Sequence, residues 1–234
     1  MNHGWFVLVD LLGTFAFALS GAMASIERRL DLFGVAVVAY LTACGGGIVR
    51  DLCLGALPPA AIAQWRYAAV TLVAAAMAIW MQGVARRLRH PVLFFDAIGL
   101  GFFAVAGAHK AWLLTGNAEV AVLLGVATAV GGGVLRDVVL NRVPVILQRE
   151  IYALAALAGA CLQVAGQAFG WDARLTPWLG AFVCALIRFL SMRLGWRLPM
   201  SRRAAQAAAP APPTPPAPPG GSARADSAAP PPVR

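Results

Sequence analysis

Gly45-Gly46-Gly47-Ile48-Val49-Arg50-Asp51 returns 86 residues later as Gly131-Gly132-Gly133-Val134-Leu135-Arg136-Asp137. The same ungapped offset pairs Asp10 with Asp96, Gly13 with Gly99, Phe17 with Phe103, Gly21-Ala22 with Gly107-Ala108, Thr42-Ala43 with Thr128-Ala129 and Pro58 with Pro144. Positions 10–24 and 40–59 give 15 identities in 35 pairs, so the chain is an internal duplication. With an odd number of membrane spans per copy, the two copies lie upside down relative to each other. Such a pair places a pathway for a small solute near the middle of a bilayer.

Composition agrees with a membrane setting. Of the 234 residues, 60% are hydrophobic and 12% charged, where a soluble domain carries about 25% charge. The net charge of +9 does not point to nucleic acid, because the basic residues fall in short loops and the tail rather than in a stripe with aromatics. His3, His90 and His109 are isolated, and Cys44, Cys53, Cys161 and Cys184 show no CxxC spacing. No metal, cofactor or disulfide is expected, and the cysteines read as buried, inert thiols.

Apolar runs of about 20 residues read as membrane helices, and seven are expected, at 5–25, 32–57, 67–85, 92–112, 119–141, 151–170 and 175–195. The first three form one repeat, about 5–85. The next three form its inverted copy, about 92–170, and the seventh stands outside. The fold expected is therefore an all-α, seven-helix membrane domain over residues 1–196. Ala22-Met23-Ala24 looks like a leader cleavage site, but the span has no basic start, contains Asp10 and is the partner of an internal span, so it is retained. With the N-terminus outside, inner loops hold Arg28, Arg29, Arg86, Arg87, Arg89, Arg142 and Arg149, and outer loops only Arg66, Lys110 and Arg174. Seven against three gives an outside N-terminus and a cytoplasmic C-terminus, in a bacterium an inner-membrane protein. Residues 197–234 form a Pro- and Ala-rich tail, expected to be disordered, with 11 of the 16 prolines in the last 36 residues.

Each glycine costs about 1 kcal/mol against alanine inside a helix. The triplets Gly45, Gly46, Gly47 and Gly131, Gly132, Gly133 therefore predict a break or kink in spans two and five. A break would free main-chain groups in lipid that a solute can use, provided protein or water covers them. Close helix packing is the competing reading. Arg50 and Asp51, being adjacent, are not expected to pair on a helix. Asp10 with Arg50 and Asp96 with Arg136, both 40 residues apart, are instead expected to form a charged constriction in each leaflet, unless the arginines snorkel to headgroups. Asp51 and Asp137 remain to face a pathway. Thr42 and Thr128 offer hydroxyl ligands or back-bond to their own helix, and Phe17 and Phe103 read as core.

With its paired GGGxxRD elements and the Asp-x-x-Gly start of each repeat, the chain resembles the prokaryotic trimeric intracellular cation (TRIC) channel family, also called the glycine transporter domain. The resemblance covers residues 5 to about 195. It implies a homotrimer in membrane lipid, with one pore per protomer lined by the glycine-kinked second and fifth helices. It also implies permeation of monovalent cations, potassium first, with uptake of glycine or a small amino acid as the alternative. The lipid-binding lysine of animal members has no counterpart on the second span. No Ser/His, paired His or HExxH constellation lies in the spans, so an enzyme is not expected.

Overall fold

The computed structural model describes residues 4–81, 90–148 and 151–194. Among these, the chain forms α1 (Gly4–Glu27), α2 (Leu32–Cys53), α3 (Ala60–Ala63), α4 (Trp65–Trp80), α5 (Pro91–Thr115), α6 (Ala118–Val139), α7 (Val145–Gln148), α8 (Ile151–Ala168) and α9 (Leu175–Leu194). Six helices are long and apolar enough to cross a membrane: α1, α2, α5, α6, α8 and α9. The third expected span appears as α4, a shorter apolar helix of 16 residues. The second span, expected to reach 57, stops at Cys53. The basic residues Arg86, Arg87, Arg89 and Arg149, and the proline-rich tail, lie outside the described residues.

Helix ends explain why the boundaries fall where they do, and they match across the 86-residue offset. Asp31 caps α2 by accepting from Gly34 N at 2.7 Å, and Asn117 caps α6 by accepting from Glu119 N and Val120 N. After α2, Gly55 adopts φ +64°, and after α6 Asn141 adopts φ +51°. Around each, one N–H reaches back five residues (Ala56 to the Asp51 carbonyl, Arg142 to that of Asp137), and the N–H just before it reaches back three (Gly55 to Leu52, Asn141 to Val138). That is a Schellman stop, which glycine and asparagine tolerate because it needs the left-handed region.

Small residues set the packing at the centre. On the α1–α5 contact, Gly13 lies against the Phe103 ring and Gly99 against the Phe17 ring, and those two buried rings stand 5.2 Å apart. On the α2–α6 contact, Gly46 lies against the Thr128 carbonyl and Gly132 against the Thr42 carbonyl. In both contacts the two halves exchange roles under the same offset. Large apolar side chains such as Phe33, Trp80, Leu123 and Phe182 point outward, as a lipid-facing surface requires.

Two expectations need correction, and one pair of open alternatives is decided. Both glycine triplets are helical throughout, so no break frees main-chain groups there. The physical reason is the crossing itself: backbone packed on backbone at Gly46 and Gly132 offsets the low helix propensity of glycine. Thr42 and Thr128 are fully buried and donate to Val38 O and Leu124 O of their own helices. Gly21 and Gly107 cover the two hydroxyls, so neither threonine is placed as an open ligand. Among the thiols, Cys44 and Cys184 are buried, but Cys53 and Cys161 are exposed. An apolar segment in a membrane protein buries residues in lipid as well as in protein.

Candidate functional site

The two Arg-Asp motifs sit at opposite ends of the bundle. Helix α1 connects them: Asp10 near its start lines a cavity with Arg50, and Ser20, ten residues or about 15 Å further along, accepts from Arg136 Nη1 at 2.7 Å. Helix α5 runs the other way, with Asp96 near its start beside Arg136 and Lys110 near its end beside Asp51.

At the Arg136 end the ionic network is buried. Arg136 Nη1 lies 2.7 Å from Asp96 Oδ1, and Nε lies 2.8 Å from Asp137 Oδ1. Asp96 is fully buried and Arg136 is 1% exposed. One guanidinium thus serves two carboxylates and the Ser20 hydroxyl, using the planar fork that makes arginine suited to buried pairs. The second Asp137 oxygen accepts from Val145 N at 3.1 Å and so anchors α7. Gly133 leaves room for the Tyr152 hydroxyl: a Cβ there would lie 2.9 Å from that hydroxyl and 3.4 Å from Asp96 Oδ1. Arg188 of α9, also fully buried, stacks over the Tyr152 ring at 4.9 Å.

At the Arg50 end the same residue types are arranged differently. Arg50 Nε bonds Asp51 Oδ1 at 2.8 Å, and Lys110 Nζ bonds the same oxygen at 2.7 Å. Asp51 Oδ2 accepts from Ala60 N at 2.9 Å, anchoring α3 as Asp137 anchors α7. Asp10 Oδ2 takes a short hydrogen bond from the Tyr67 hydroxyl. Among the described residues no ion pair joins Asp10 to Arg50.

The 40-residue spacing therefore pairs Asp96 with Arg136 but leaves Asp10 with a tyrosine. The rule that adjacent helical residues do not meet fails at both motifs. It describes the stems of side chains, and an arginine is long enough to turn its Nε back onto its neighbour. Asp51 and Asp137, expected to be available to a pathway, are instead largely saturated by arginine, lysine and main-chain donors. Lys110, expected in an outer loop, lies within the last two turns of α5 with its side chain 31% exposed.

Two cavities flank the centre. One, of about 270 Å³, is lined by Asp10, Arg50, Tyr67, His109 and Lys110. The other, of about 460 Å³, is lined by Glu27, Arg28, His90, Arg136, Asp137 and Arg142. Between them lie the Phe17–Phe103 contact and the Gly46–Gly132 crossing, both tightly packed. Glu27 and Arg142 close part of the second mouth at 3.3 Å.

Tyr67, Tyr152 and Arg188 escaped the sequence reading. Arg188 was visible as a charge inside span seven. The tyrosines are 85 rather than 86 residues apart, and so are α3 and α7. Asp51 reaches an amide nine residues on, whereas Asp137 reaches one eight residues on. Pro58-Pro59 against the single Pro144 marks the missing residue. An alignment permitting one gap there would have paired the tyrosines.

Known proteins resemble the chain over most of its length. A family described as glycine transporter matches residues 7–83 and again 93–168. An inner-membrane protein of Escherichia coli K12, YadS of the UPF0126 group, is 36% identical over 195 residues, covering 82% of this chain and 93% of its own. A UPF0126 membrane protein of Streptomyces coelicolor is 42% identical over 192 residues, covering 82% and 88%. Among solved structures, a TRIC trimeric intracellular cation channel orthologue from Rhodobacter sphaeroides superposes with a TM-score of 0.75 at 34% identity, covering 82% and 98%. A prokaryotic TRIC channel solved in 0.5 M KCl gives 0.76 at 28% identity, again covering 82% and 98%. The chain belongs to the glycine transporter (UPF0126) family and has the fold of the prokaryotic TRIC cation channels.

Proposed function

We propose that this protein conducts monovalent cations, potassium first, through each protomer of a homotrimer. The carrying observation is the pair of cavities at opposite ends, each lined by the arginine of one GGGxxRD element, with the α2–α6 crossing packed between them. The two three-span units form inverted repeats about an axis near Phe17, Phe103, Gly46 and Gly132, supported by contacts whose partners exchange under the offset. The Arg50 end is outer and the Arg136 end cytoplasmic, following the arginine bias of the loops. In the arrangement described, the crossing is closed, so conduction requires α2 and α6 to part or bend at Gly45–Gly47 and Gly131–Gly133. Asp10, Arg50, Asp51, Asp96, Arg136 and Asp137 then set the charge along the path.

A second reading, import of glycine or a similarly small amino acid, has one observation in its favour. The 270 Å³ cavity carries Arg50 and Lys110 together with Asp10, which suits the two poles of a zwitterion. Potassium current across a planar bilayer, set against saturable uptake of labelled glycine into proteoliposomes, separates the two. Current that scales with potassium and ignores glycine supports the channel. Saturable glycine uptake without potassium current supports the transporter.

A further inference from the structure

His109 of α5 is held from two neighbouring helices. Its ring stacks on that of Phe6 from α1, with centroids 3.2 Å apart and planes 4° from parallel, and its Nδ1 lies 2.7 Å from Gln167 Nε2 of α8. The imidazole is partly buried and lines the cavity at the Arg50 end. At the fixed offset His109 and Phe6 answer to Met23 and Val92, so the duplication does not account for the stacked pair. We infer that His109 and Gln167 form a proton-binding site, and that proton uptake there adds a positive charge to the cavity and lowers cation passage. The site itself stands on its own geometry, whereas its effect on passage rests on the permeation reading above.

Imidazole is the side chain whose charge ordinarily changes between about pH 5 and pH 8. Neutral His109 can accept the Gln167 N–H at Nδ1, but a protonated ring can only donate there. Gln167 supplies what that form needs, because its Oε1 is buried and has no hydrogen-bond partner among the described residues. Turning the carboxamide over brings this oxygen to Nδ1 and satisfies both groups. The Phe6 face adds a cation–π contact for the charged ring only. The same two neighbours therefore serve either protonation state, and the charged one gains the stronger hydrogen bond. The titratable and charged groups around the ring are Asp10 from α1, Arg50 from α2, Tyr67 from α4 and Lys110 beside it on α5, all lining the same cavity. Asp51 is already bonded by both Arg50 and Lys110. Arg66 of α4, Glu119 of α6, Cys161 of α8, and Asp172 and Arg174 in the α8–α9 turn do not line the cavity, and Arg188 of α9 sits at the Arg136 end over Tyr152. A third cation beside Arg50 and Lys110 raises the barrier to an entering potassium ion.

The test records potassium current through the full-length chain in planar bilayers while each side is acidified in turn, from about pH 8 to about pH 5.5. Acid at the Arg50 end is expected to lower the current several-fold, with a smaller drop at high salt. His109→Gln keeps a hydrogen-bonding amide but cannot take the proton, and is expected to abolish that response. Asp10→Asn, and His90→Gln in the other cavity, are expected to retain it. Gln167→Glu should move the midpoint to higher pH by holding the charged ring, and Gln167→Met to lower pH by removing its acceptor. A role confined to packing would not move the midpoint in opposite directions. NMR titration of the imidazole protons in detergent, with His109→Gln assigning the signal, reads the proton directly and should share the midpoint of the current. The inference is overturned if the acid response survives in His109→Gln, if both Gln167 variants move the midpoint the same way, or if the His109 signal does not titrate in this range. Circular dichroism and gel filtration identify any misfolded variant, and His109→Asn repeats the test should His109→Gln fail to fold. A His109 that titrates in a protein passing no potassium at any pH removes the permeation reading and leaves the proton site standing.

Discussion

Gly46 and Thr128 meet backbone to backbone, and Gly132 and Thr42 repeat the contact with the halves exchanged. A Cβ at Gly46 or Gly132 would overlap the facing carbonyl oxygen, and neither side can move without parting two helices. At Gly47, by contrast, the nearest outside atom would be the flexible Arg50 Nη2 at 3.7 Å. Gly46→Ala and Gly132→Ala should therefore lower stability by several kcal/mol, as overpacking against main chain does. Gly47→Ala should be neutral, or gain up to about 1 kcal/mol from helix propensity. Thermal unfolding in detergent, followed by circular dichroism, checks the ranking. If Gly47→Ala folds normally but abolishes transport, α2 bends at that residue during function.

Asp96 and Asp10 occupy matching positions and should respond unequally to neutralisation. Asp96→Asn leaves Arg136 buried with half its counter-charge, a loss on the order of 3–5 kcal/mol for a broken buried pair. Asp10→Asn faces a cavity and exchanges a phenol–carboxylate bond for a phenol–amide bond, costing about 1 kcal/mol. Exchanging charges as Asp96→Arg with Arg136→Asp should not rescue, because Arg136 also serves Asp137 and Ser20. Equal melting temperatures for the two asparagine variants would refute the difference in environment.

The contrast shows what a linear sequence reveals and what it hides. Apolar runs exposed the spans, and identity at fixed offset exposed the duplication and the Asp96–Arg136 pair, because those depend on register along helices. It missed choices made in three dimensions. Asp10 has Tyr67 within reach, and that partner lies one residue out of register with Tyr152. Lys110 has Ala24 as its counterpart, so nothing in the first repeat announced a third group on Asp51. Of the two readings the triplets allow, a helix break and close packing, the structure shows the close crossing. Propensity measures a helix alone, and here the neighbouring backbone supplies what the glycine side chains lack.

Lys110 is the residue whose removal should most increase cation flux. Its ammonium covers the Asp51 oxygen that also holds Arg50, and it adds positive charge to a cavity already containing that arginine. Lys110→Met keeps the apolar stem, uncovers part of the carboxylate and removes one repulsive charge. Potassium current should rise several-fold at low salt, with a smaller rise at high salt where screening is strong. Lys110→Arg should stay near the parent. A fall in current with Lys110→Met would mean that the ammonium supports the path instead of obstructing it.

Leu57 and Val143 are related by the 86-residue offset, and both are exposed, at 66% and 62%. They follow the Schellman stops of α2 and α6, and thus stand at the Arg50 and Arg136 ends. If the Arg50 end faces outward, Leu57→Cys in a Cys53→Ala, Cys161→Ala background should react with an impermeant maleimide in intact cells. Val143→Cys should react only after permeabilisation. Equal labelling of both from outside would place two ends of one helix bundle on the same side of the membrane, which the antiparallel run of α1 and α5 forbids. Labelling in the reverse order would keep the fold but turn the protein over, and Arg142 would then lie outside, against the charge bias that orients membrane helices.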